Sequence, residues 1–255
     1  MEDNFLLNRA QILFYRRNGY LVVPDVLTES QCDRINAIFE KHAKDNNNTS
    51  FAGIMNLDRE NYRIRHLICY YKIVLILETL QDAEVVGLQS MFLFKKGNTE
   101  YAPQAWNPHQ DNAYPRAPWG MYLTGNIPFA DQDGENGCMF IYPGSHMENL
   151  LEAEFFKSFH EEPGRNPGHD VSKNLPSEYE RIDLPIKKGS LLVLHGNVVH
   201  GSYPNRSNRD RPMLLIPYGT KGISRHPNFI PGTTGKREEF SLRPLRHDLS
   251  FDIET

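Results

Sequence analysis

Three residues of the chain have the types and spacing to do metal chemistry: His109, Asp111 and His200. Side chains two residues apart on an extended segment point to the same side, so His109 and Asp111 could hold one ion together. Two imidazoles and one carboxylate form the ligand set of non-haem ferrous sites, which keep coordination positions open for reactants. The pattern therefore predicts an oxygen-activating site, although H-x-D alone also occurs as a turn histidine beside a surface aspartate.

The second imidazole comes from the stretch Lys188–Ser202, in which an apolar run leads into a turn. Two histidines, His195 and His200, flank this turn. Five residues apart, they would face opposite ways on one straight strand, but the turn at Gly196-Asn197 interrupts the strand. The residues alone therefore leave the choice open, and His195 could be a packed or site-lining residue.

An arginine stands close behind this stretch, where Arg211 opens an apolar strand candidate. A guanidinium that points into a barrel can hold a carboxylate through two parallel hydrogen bonds. Ser202 could add a hydroxyl group to the same anion. The alternative is a solvated side chain, which is our interpretation of Arg206 and Arg209. The metal triad favours the anchor for Arg211.

Composition excludes several classes of function. A net charge of −4 gives no basic face for nucleic acid. The longest apolar stretch, residues 73–77, is too short to span a bilayer. Three scattered cysteines form no C-x-x-C pair, which argues against a thiolate zinc site and suits a reducing compartment. We expect a cytoplasmic protein without a membrane or nucleic-acid partner, and composition leaves its oligomeric state open.

Hydrophobic periodicity predicts the elements that must position these residues. Apolar residues at helical spacing predict helices over 6–18, 28–44 and 62–82, and Thr28 with Gln31 forms a capping-box pattern. Beyond residue 84, short apolar runs alternate with turn residues, which indicates strands. The predicted strands are Tyr20–Val23, Val85–Phe94, Met121–Phe129, Cys138–Tyr142, Ser190–Leu194 and Met213–Tyr218.

These elements predict a mainly β protein whose N-terminal helices cover one face of a double-sheet barrel. The long separation between Asp111 and His200 leaves room for several strands, as in a jelly roll. We predict a single domain over residues 1–255, with a helical buttress over about 1–84, a β core over about 85–220 and a C-terminal wrap. Residues 148–181 form a polar insertion, predicted to be partly helical.

The chain resembles the phytanoyl-CoA dioxygenase family of iron(II)/2-oxoglutarate-dependent oxygenases. The resemblance spans roughly residues 8–220 and implies a double-stranded β-helix, a jelly-roll (cupin-like) core. Four ordered motifs carry it: WNPHQD (Trp106–Asp111), ENGCMFIYPGSH (Glu135–His146), KKGSLLVLHGNVVHGS (Lys187–Ser202) and Arg211.

The resemblance implies a role for each matching residue. His109, Asp111 and His200 correspond to the Fe(II) ligands, which selects His200 over His195. Three further residues correspond to positions that hold 2-oxoglutarate: Arg211 and Ser202 at its distal carboxylate, and Gln89 on the strand before the first motif. Related halogenases lack the carboxylate ligand, so the presence of Asp111 implies hydroxylation or another oxidation.

Other residues could border the site. His146 closes the second motif, and Arg116 could pair with an anionic substrate or be a surface arginine. Four aromatic residues could line a substrate pocket or pack in the core: Trp106, Tyr114, Trp119 and Tyr122.

The predicted enzyme hydroxylates a small-molecule substrate with O2 and releases succinate and CO2 from 2-oxoglutarate. Two features depart from the relatives: Gln110 stands where ectoine hydroxylases have serine, and the 148–181 insertion has no recognisable counterpart. The substrate is therefore open. Two other hypotheses are a zinc-dependent hydrolase, which would leave Arg211 without a role, and a non-catalytic binding protein on the same scaffold.

Overall fold

The first helix begins and ends where the sequence supplies a cap. In α1 (Arg9–Asn18), the Gln11 N–H donates to the side chain of Asn8, and the Asn8 N–H donates to the side chain of Gln11. Gly19, at a φ of 78°, ends the helix in the left-handed conformation that glycine adopts readily. The computed structural model describes residues 6–48, 53–156, 169–231 and 238–242.

The second helix, α2 (Glu29–Asp45), starts with the predicted capping box. The side chain of Thr28 accepts from the Gln31 N–H, and the side chain of Gln31 accepts from the Thr28 N–H. One face of α2 is buried, with Ile35 and Phe39 in the core. The amphipathic pattern therefore predicted both the start and the packed face of this helix.

The predicted helix over residues 62–82 is two helices, α3 (Tyr62–Ile68) and α4 (Tyr71–Gln81). Between them the backbone leaves helical geometry, with a ψ of 7° at Cys69 and 123° at Tyr70. Neither glycine nor proline marks this break, and the apolar residues continue through it. Periodicity alone could not reveal it.

The β part contains short strands, and the described residues form fourteen of them. In chain order they are β1 (Tyr20–Val23), β2 (Ile54–Met55), β3 (Val85–Gly87), β4 (Met91–Leu93), β5 (Trp106–His109), β6 (Tyr122–Pro128), β7 (Met139–Ile141), β8 (Ala153–Phe156), β9 (His169–Ser172), β10 (Ile182–Leu184), β11 (Leu191–His195), β12 (His200–Ser202), β13 (Met213–Thr220) and β14 (Phe240–Ser241).

Two antiparallel sheets build a jelly roll. The larger sheet has eight strands in the order β1-β11-β6-β13-β3-β14; in addition, β4 pairs with β13, and β2 pairs with β4. The smaller sheet has four strands in the order β10-β7-β12-β5. Strands distant in sequence are neighbours, as two-sheet jelly rolls require. The predicted fold class is confirmed.

The outer face of the larger sheet packs on the helices. Leu123 of β6, Val193 of β11 and Ile216 of β13 share one buried cluster with Ile73 and Leu77 of α4. The central strands read as continuous apolar runs because helices cover this face and the smaller sheet covers the other. The N-terminal helix α4 therefore lies against this face of the larger sheet.

The inner face of the larger sheet packs on the smaller sheet. Leu192 and Leu194 of β11 and Met213 of β13 lie in a second cluster with Met139 and Ile141 of β7. Since side chains alternate along a strand, every second residue of these strands enters the space between the sheets. His109 and His200 lie on strands of the smaller sheet, whose inner face borders that space.

Two expectations about the β part need correction. The predicted strand over 85–94 is two strands, β3 and β4. The described parts of the 148–181 insertion form two strands, β8 and β9, and contain no α-helix, so the predicted helical content is wrong there; residues 157–168 lie outside the described residues. Where it is described, the segment after Gly219 returns to the larger sheet as β14, beside β3.

The β12 strand depends on a glycine next to His200. A Cβ at Gly201 would collide with the Phe140 ring and with the Trp106 carbonyl oxygen. Gly201→Ala is therefore expected to lower the free energy of unfolding by about 1–3 kcal/mol through overpacking. Urea denaturation measures the change, with Gly134→Ala as control because a Cβ there meets no atom within 4 Å. Equal stabilities of the two variants would contradict this packing.

Candidate metal centre

Strand pairing brings the two histidines together. His109 is the last residue of β5 and His200 the first of β12, and the antiparallel register places them directly opposite each other. His200 also pairs with Ile141 of β7, whose side chain lies between the sheets, so both imidazoles face inward. The register shifts between His200 and Ser202, which corresponds to an irregularity near Pro108 in β5.

Asp111 completes the cluster from the next turn of chain. It begins a short 3-10 helix, Asp111–Ala113, after extended Gln110. Its Oδ1 lies 3.5 Å from Nε2 of His109 and 3.6 Å from Nε2 of His200. Ligand atoms about 2.1 Å from one ion are about 3.0–3.4 Å apart, so these atoms are close to the separation that a shared ion imposes. The described residues contain no other group of three His, Cys, Asp or Glu with this spacing.

Hydrogen bonds orient both imidazoles toward the cluster. Nδ1 of His109 lies 2.8 Å from the Asn107 carbonyl oxygen, and Nδ1 of His200 lies 3.1 Å from that of Val198. A carbonyl oxygen only accepts, so each Nδ1 carries the proton and each Nε2 presents its lone pair. Fixing the tautomer through the second ring nitrogen is how proteins orient metal-binding histidines.

The charge states also suit a cation. Burial alone would raise the pKa of Asp111, but His200, His109 and the Thr124 hydroxyl together hold it at about 2. Burial lowers the pKa of His200 to about 4, against the attraction of Asp111. At neutral pH the site therefore presents an ionised carboxylate and a neutral His200 imidazole.

A polar chain from β6 holds the other oxygen of Asp111. Thr124 Oγ1 donates to Asp111 Oδ2 over 3.2 Å, and Asn126 Nδ2 donates to Thr124 Oγ1 over 3.1 Å. Oδ1 is left for an ion. Sequence reasoning missed both residues, yet a signal existed: each interrupts an apolar strand at alternate positions, the pattern of side chains that face one side.

On the opposite side of the segment, Gln110 is fully buried. Its Nε2 donates to the Asn197 carbonyl oxygen over 2.8 Å, and its Oε1 accepts from the Leu151 N–H over 2.8 Å. Asn112 Nδ2 donates to Asn197 Oδ1. These amides tie the segment carrying His109 and Asp111 to the turn before His200, which fixes the distance between the two.

The predicted anchor, Arg211, is buried with only 1% of its surface exposed. Among the described residues, its Nε and Nη2 have no hydrogen-bond partner. Burial lowers its pKa to about 10, so it stays charged at neutral pH. A buried, charged fork without a counter-ion is costly unless an anion binds it. Ser202 shares the inner face with His200.

The direction of the Gln89 side chain follows from that of its neighbours in the chain. It is half-buried between β3 and β4, two residues before Met91. Met91 pairs with Leu215, which packs against the inner cluster. The alternation of side chains therefore puts Gln89 toward the inner face.

His195, His146 and Trp119 lie outside the metal cluster. His195 pairs with Leu123, whose side chain belongs to the helix-covered face, and its ring lies 5.0 Å from that of Trp119 and 5.1 Å from that of His146. Trp119 is 53% exposed, and its indole N–H donates to the His146 carbonyl oxygen. These three residues therefore belong to the outer side of the larger sheet, away from the triad.

The remaining candidates lie in the core, on the surface and beside the triad. Tyr122 packs in an apolar cluster with Val86 and Ile223, and Arg116 is exposed. The half-buried Trp106 has its ring 6.0 Å from that of His109, so it lies beside the triad.

Fold and site together define a jelly-roll protein with a two-histidine, one-carboxylate cluster between its sheets. Residues 15–213 match the phytanoyl-CoA dioxygenase (PhyH) family. The chain therefore belongs to this family, and it is a dioxygenase. The peroxisomal phytanoyl-CoA dioxygenase of Rattus norvegicus is 22% identical over 239 residues, 86% of this chain and 70% of that protein. Phytanoyl-CoA dioxygenase of Arabidopsis thaliana is 32% identical over 133 residues, 49% of this chain and 41% of that protein.

Solved structures show the same fold. The epimerase SnoN, crystallised with Fe3+, alpha ketoglutarate and nogalamycin RO, superposes with a TM-score of 0.68 at 21% identity, covering 83% of this chain and 82% of its own. EctD from S. alaskensis, with 2-oxoglutarate and 5-hydroxyectoine, gives a TM-score of 0.67 at 16% identity, covering 88% and 79%.

The buried His195 makes stability depend on pH. Burial, with a smaller effect of His146, lowers its pKa to about 3, whereas an unfolded histidine titrates near about 6.5. Between these values the unfolded chain binds the extra proton, so this group destabilises the fold by about 1.4 kcal/mol for each unit that pH falls. His195→Gln is expected to lose less stability on acidification, measured by urea denaturation at several pH values. A wild-type-to-variant difference that does not change with pH would contradict this.

Proposed function

We propose that the protein is a non-haem iron(II)/2-oxoglutarate-dependent dioxygenase and that His109, Asp111 and His200 bind the iron. One observation carries the proposal: two oriented Nε2 lone pairs and one carboxylate oxygen converge within 4.8 Å of one another. Three ligands on one side leave the other coordination positions to reactants.

The co-substrate pocket is proposed from Arg211. Its buried guanidinium has unpaired N–H groups among the described residues, and a carboxylate accepts such a fork through two hydrogen bonds. Ser202 and Gln89 complete the pocket, since both lie toward the same inner face. A zinc-dependent hydrolase would have no use for this buried cation, so it supports the oxygenase over the hydrolase.

When bound, iron(II) supplies dioxygen activation coupled to decarboxylation of the keto acid, so that R–H, O2 and 2-oxoglutarate give R–OH, succinate and CO2. The chain's own residues orient the reactants. Thr124 and Asn126 hold Asp111, and the buried Gln110 holds the segment that carries it. Arg211 fixes the far end of the keto acid, which confines its reactive end to the neighbourhood of the triad.

We propose an unidentified small-molecule substrate. A single domain over residues 1–255 is supported by the shared core of the helices and the larger sheet. A reducing compartment such as the cytoplasm is supported by three free, buried cysteines. In the described residues, no helix combines the length and the apolar character needed to cross a membrane.

Removal of the carboxylate ligand tests the metal assignment. Asp111→Ala is expected to lose iron(II) binding and keto-acid-dependent succinate formation while keeping its melting temperature close to that of the wild type. Equilibrium dialysis of iron and chromatography of succinate measure the two losses. Asp45→Ala, on the surface in an ion pair with Lys41, is the control. Succinate formation by Asp111→Ala at the wild-type rate would remove the triad from the mechanism.

Removal of the anchor tests the co-substrate assignment. Arg211→Gln is expected to raise the 2-oxoglutarate concentration for half-maximal succinate formation by about 10- to 100-fold, because a charge-assisted hydrogen bond contributes about 1.5–3 kcal/mol. Iron(II) binding should not change. If the concentration requirement stays the same, another group holds the distal carboxylate.

A further inference from the structure

A lysine that the motifs did not single out lies beside the anchor. Met213 of β13 pairs with Leu93 of β4, and Arg211 and Lys95 each lie two residues outside this end of their strand. Lys95 is only 5% exposed. Its φ of 36° is a left-handed conformation that a lysine rarely adopts. Such strain persists where the surrounding structure enforces it, and functional sites are where it concentrates.

The ammonium group of Lys95 points to the inner face. Its Nζ donates to Ser202 Oγ over 2.7 Å and to the Tyr203 carbonyl oxygen over 2.6 Å. Asn205 Nδ2 donates to the Lys95 carbonyl oxygen over 2.8 Å and holds the backbone in place. The side chain is therefore positioned next to Ser202, one of the proposed co-substrate residues.

Within the described residues, neither Lys95 nor Arg211 has a carboxylate partner. In the part of the chain that the structure describes, no carboxylate forms an ion pair with Lys95 or with Arg211. Burial and the charge of Arg211 lower the pKa of Lys95 well below its usual range. Two buried like charges close to each other are unfavourable, since each has lost its hydration. An anion bound between Lys95 and Arg211 would raise the pKa of Lys95 and offset the cost of burying the two cations.

We propose that Lys95 is a second cation of the co-substrate pocket and that it selects keto acids carrying a distal carboxylate. This inference rests on the proposed function. The Lys95 ammonium uses a lone pair of Ser202 Oγ, so the Ser202 hydroxyl hydrogen remains available to the carboxylate. Lysine, serine and arginine then surround one anion with donors.

The same arrangement disfavours keto acids that end in an apolar group. Such a ligand would cover Lys95 and Arg211 without pairing either of them. Sites built from buried polar groups reject ligands that leave those groups unpaired far more strongly than apolar pockets reject a misfit. Lys95 therefore acts on the choice between co-substrates, whereas a purely structural lysine would affect all ligands alike.

The experiment compares two keto acids on the anaerobic iron(II)-loaded protein, in which no turnover occurs. 2-Oxoglutarate and 2-oxopentanoate share a carbon chain and differ in the terminal carboxylate. By calorimetric titration, Lys95→Gln is expected to bind 2-oxoglutarate about 10- to 100-fold more weakly, because it loses a charge-assisted contact. Its affinity for 2-oxopentanoate should change little, so the preference for the diacid shrinks.

The neighbouring lysine supplies the matched control. Lys96 Nζ pairs with Glu40 and with Asp210 on the surface, so Lys96→Gln should leave both affinities unchanged. If Lys95→Gln does not fold, Lys95→Met replaces it, since exchanging a buried charge for an apolar side chain of similar volume is often tolerated.

The outcomes separate the two proposals. Wild-type protein that binds 2-oxoglutarate, together with a Lys95 variant that keeps the full preference for it, would overturn the role of Lys95 alone. A variant that weakens both keto acids equally would also overturn it, because that is the result of a structural role. Wild-type protein that binds neither keto acid would overturn the proposed function itself.

Discussion

The pairing of β12 between β5 and β7 is the constraint on which the site depends. It sets His200 opposite His109 on one side and opposite Ile141 on the other. Because side chains alternate, a slip of one residue would turn His200 outward and bring Gly201 to the inner face. Gly201 fits only where it lies, between Phe140 and the backbone of β5. The close contact of backbone with ring therefore supports the register, and the register places the imidazoles.

A second constraint is the balance of charge between the sheets. Among the described residues, the inner space holds the carboxylate of Asp111 and two buried cations, Lys95 and Arg211. Asp111 is satisfied on one oxygen by Thr124, whereas Arg211 keeps unpaired donors among the described residues. An interior with this arrangement is organised for ligands: a metal cation at the carboxylate end and an organic anion at the cationic end. The folded protein therefore holds these charges in position before the reactants bind.

Much of this could be predicted from sequence because the signals are local. The capping box at Thr28 and the alternation within strands are properties of short segments. The triad was found because H-x-D fixes two ligands by spacing alone, and the family resemblance selected His200. The side that His195 faces could not be predicted, since it depends on the register of β11 with β6. The break at Cys69 carries no sequence mark at all.

The burial of Lys95 also could not be predicted from the sequence. A lysine after the apolar strand Met91–Leu93 is normally expected to be solvated. In the fold, β13 pairs with β4, and Ser202 accepts a hydrogen bond from Lys95, so the side chain is buried. Thr124 was missed although it alternates with Asn126 in β6, because such a pattern does not show which group the polar side chains meet. Long-range pairing, which short patterns do not encode, decides both residues.

A crystal structure of the anaerobic complex with iron(II) and 2-oxoglutarate tests the central claim most directly. The account predicts one ion about 2.0–2.2 Å from Nε2 of His109, Oδ1 of Asp111 and Nε2 of His200, with the keto acid's distal carboxylate against Arg211. An ion held by any other set of side chains, or a keto acid bound outside the space between the sheets, would contradict it.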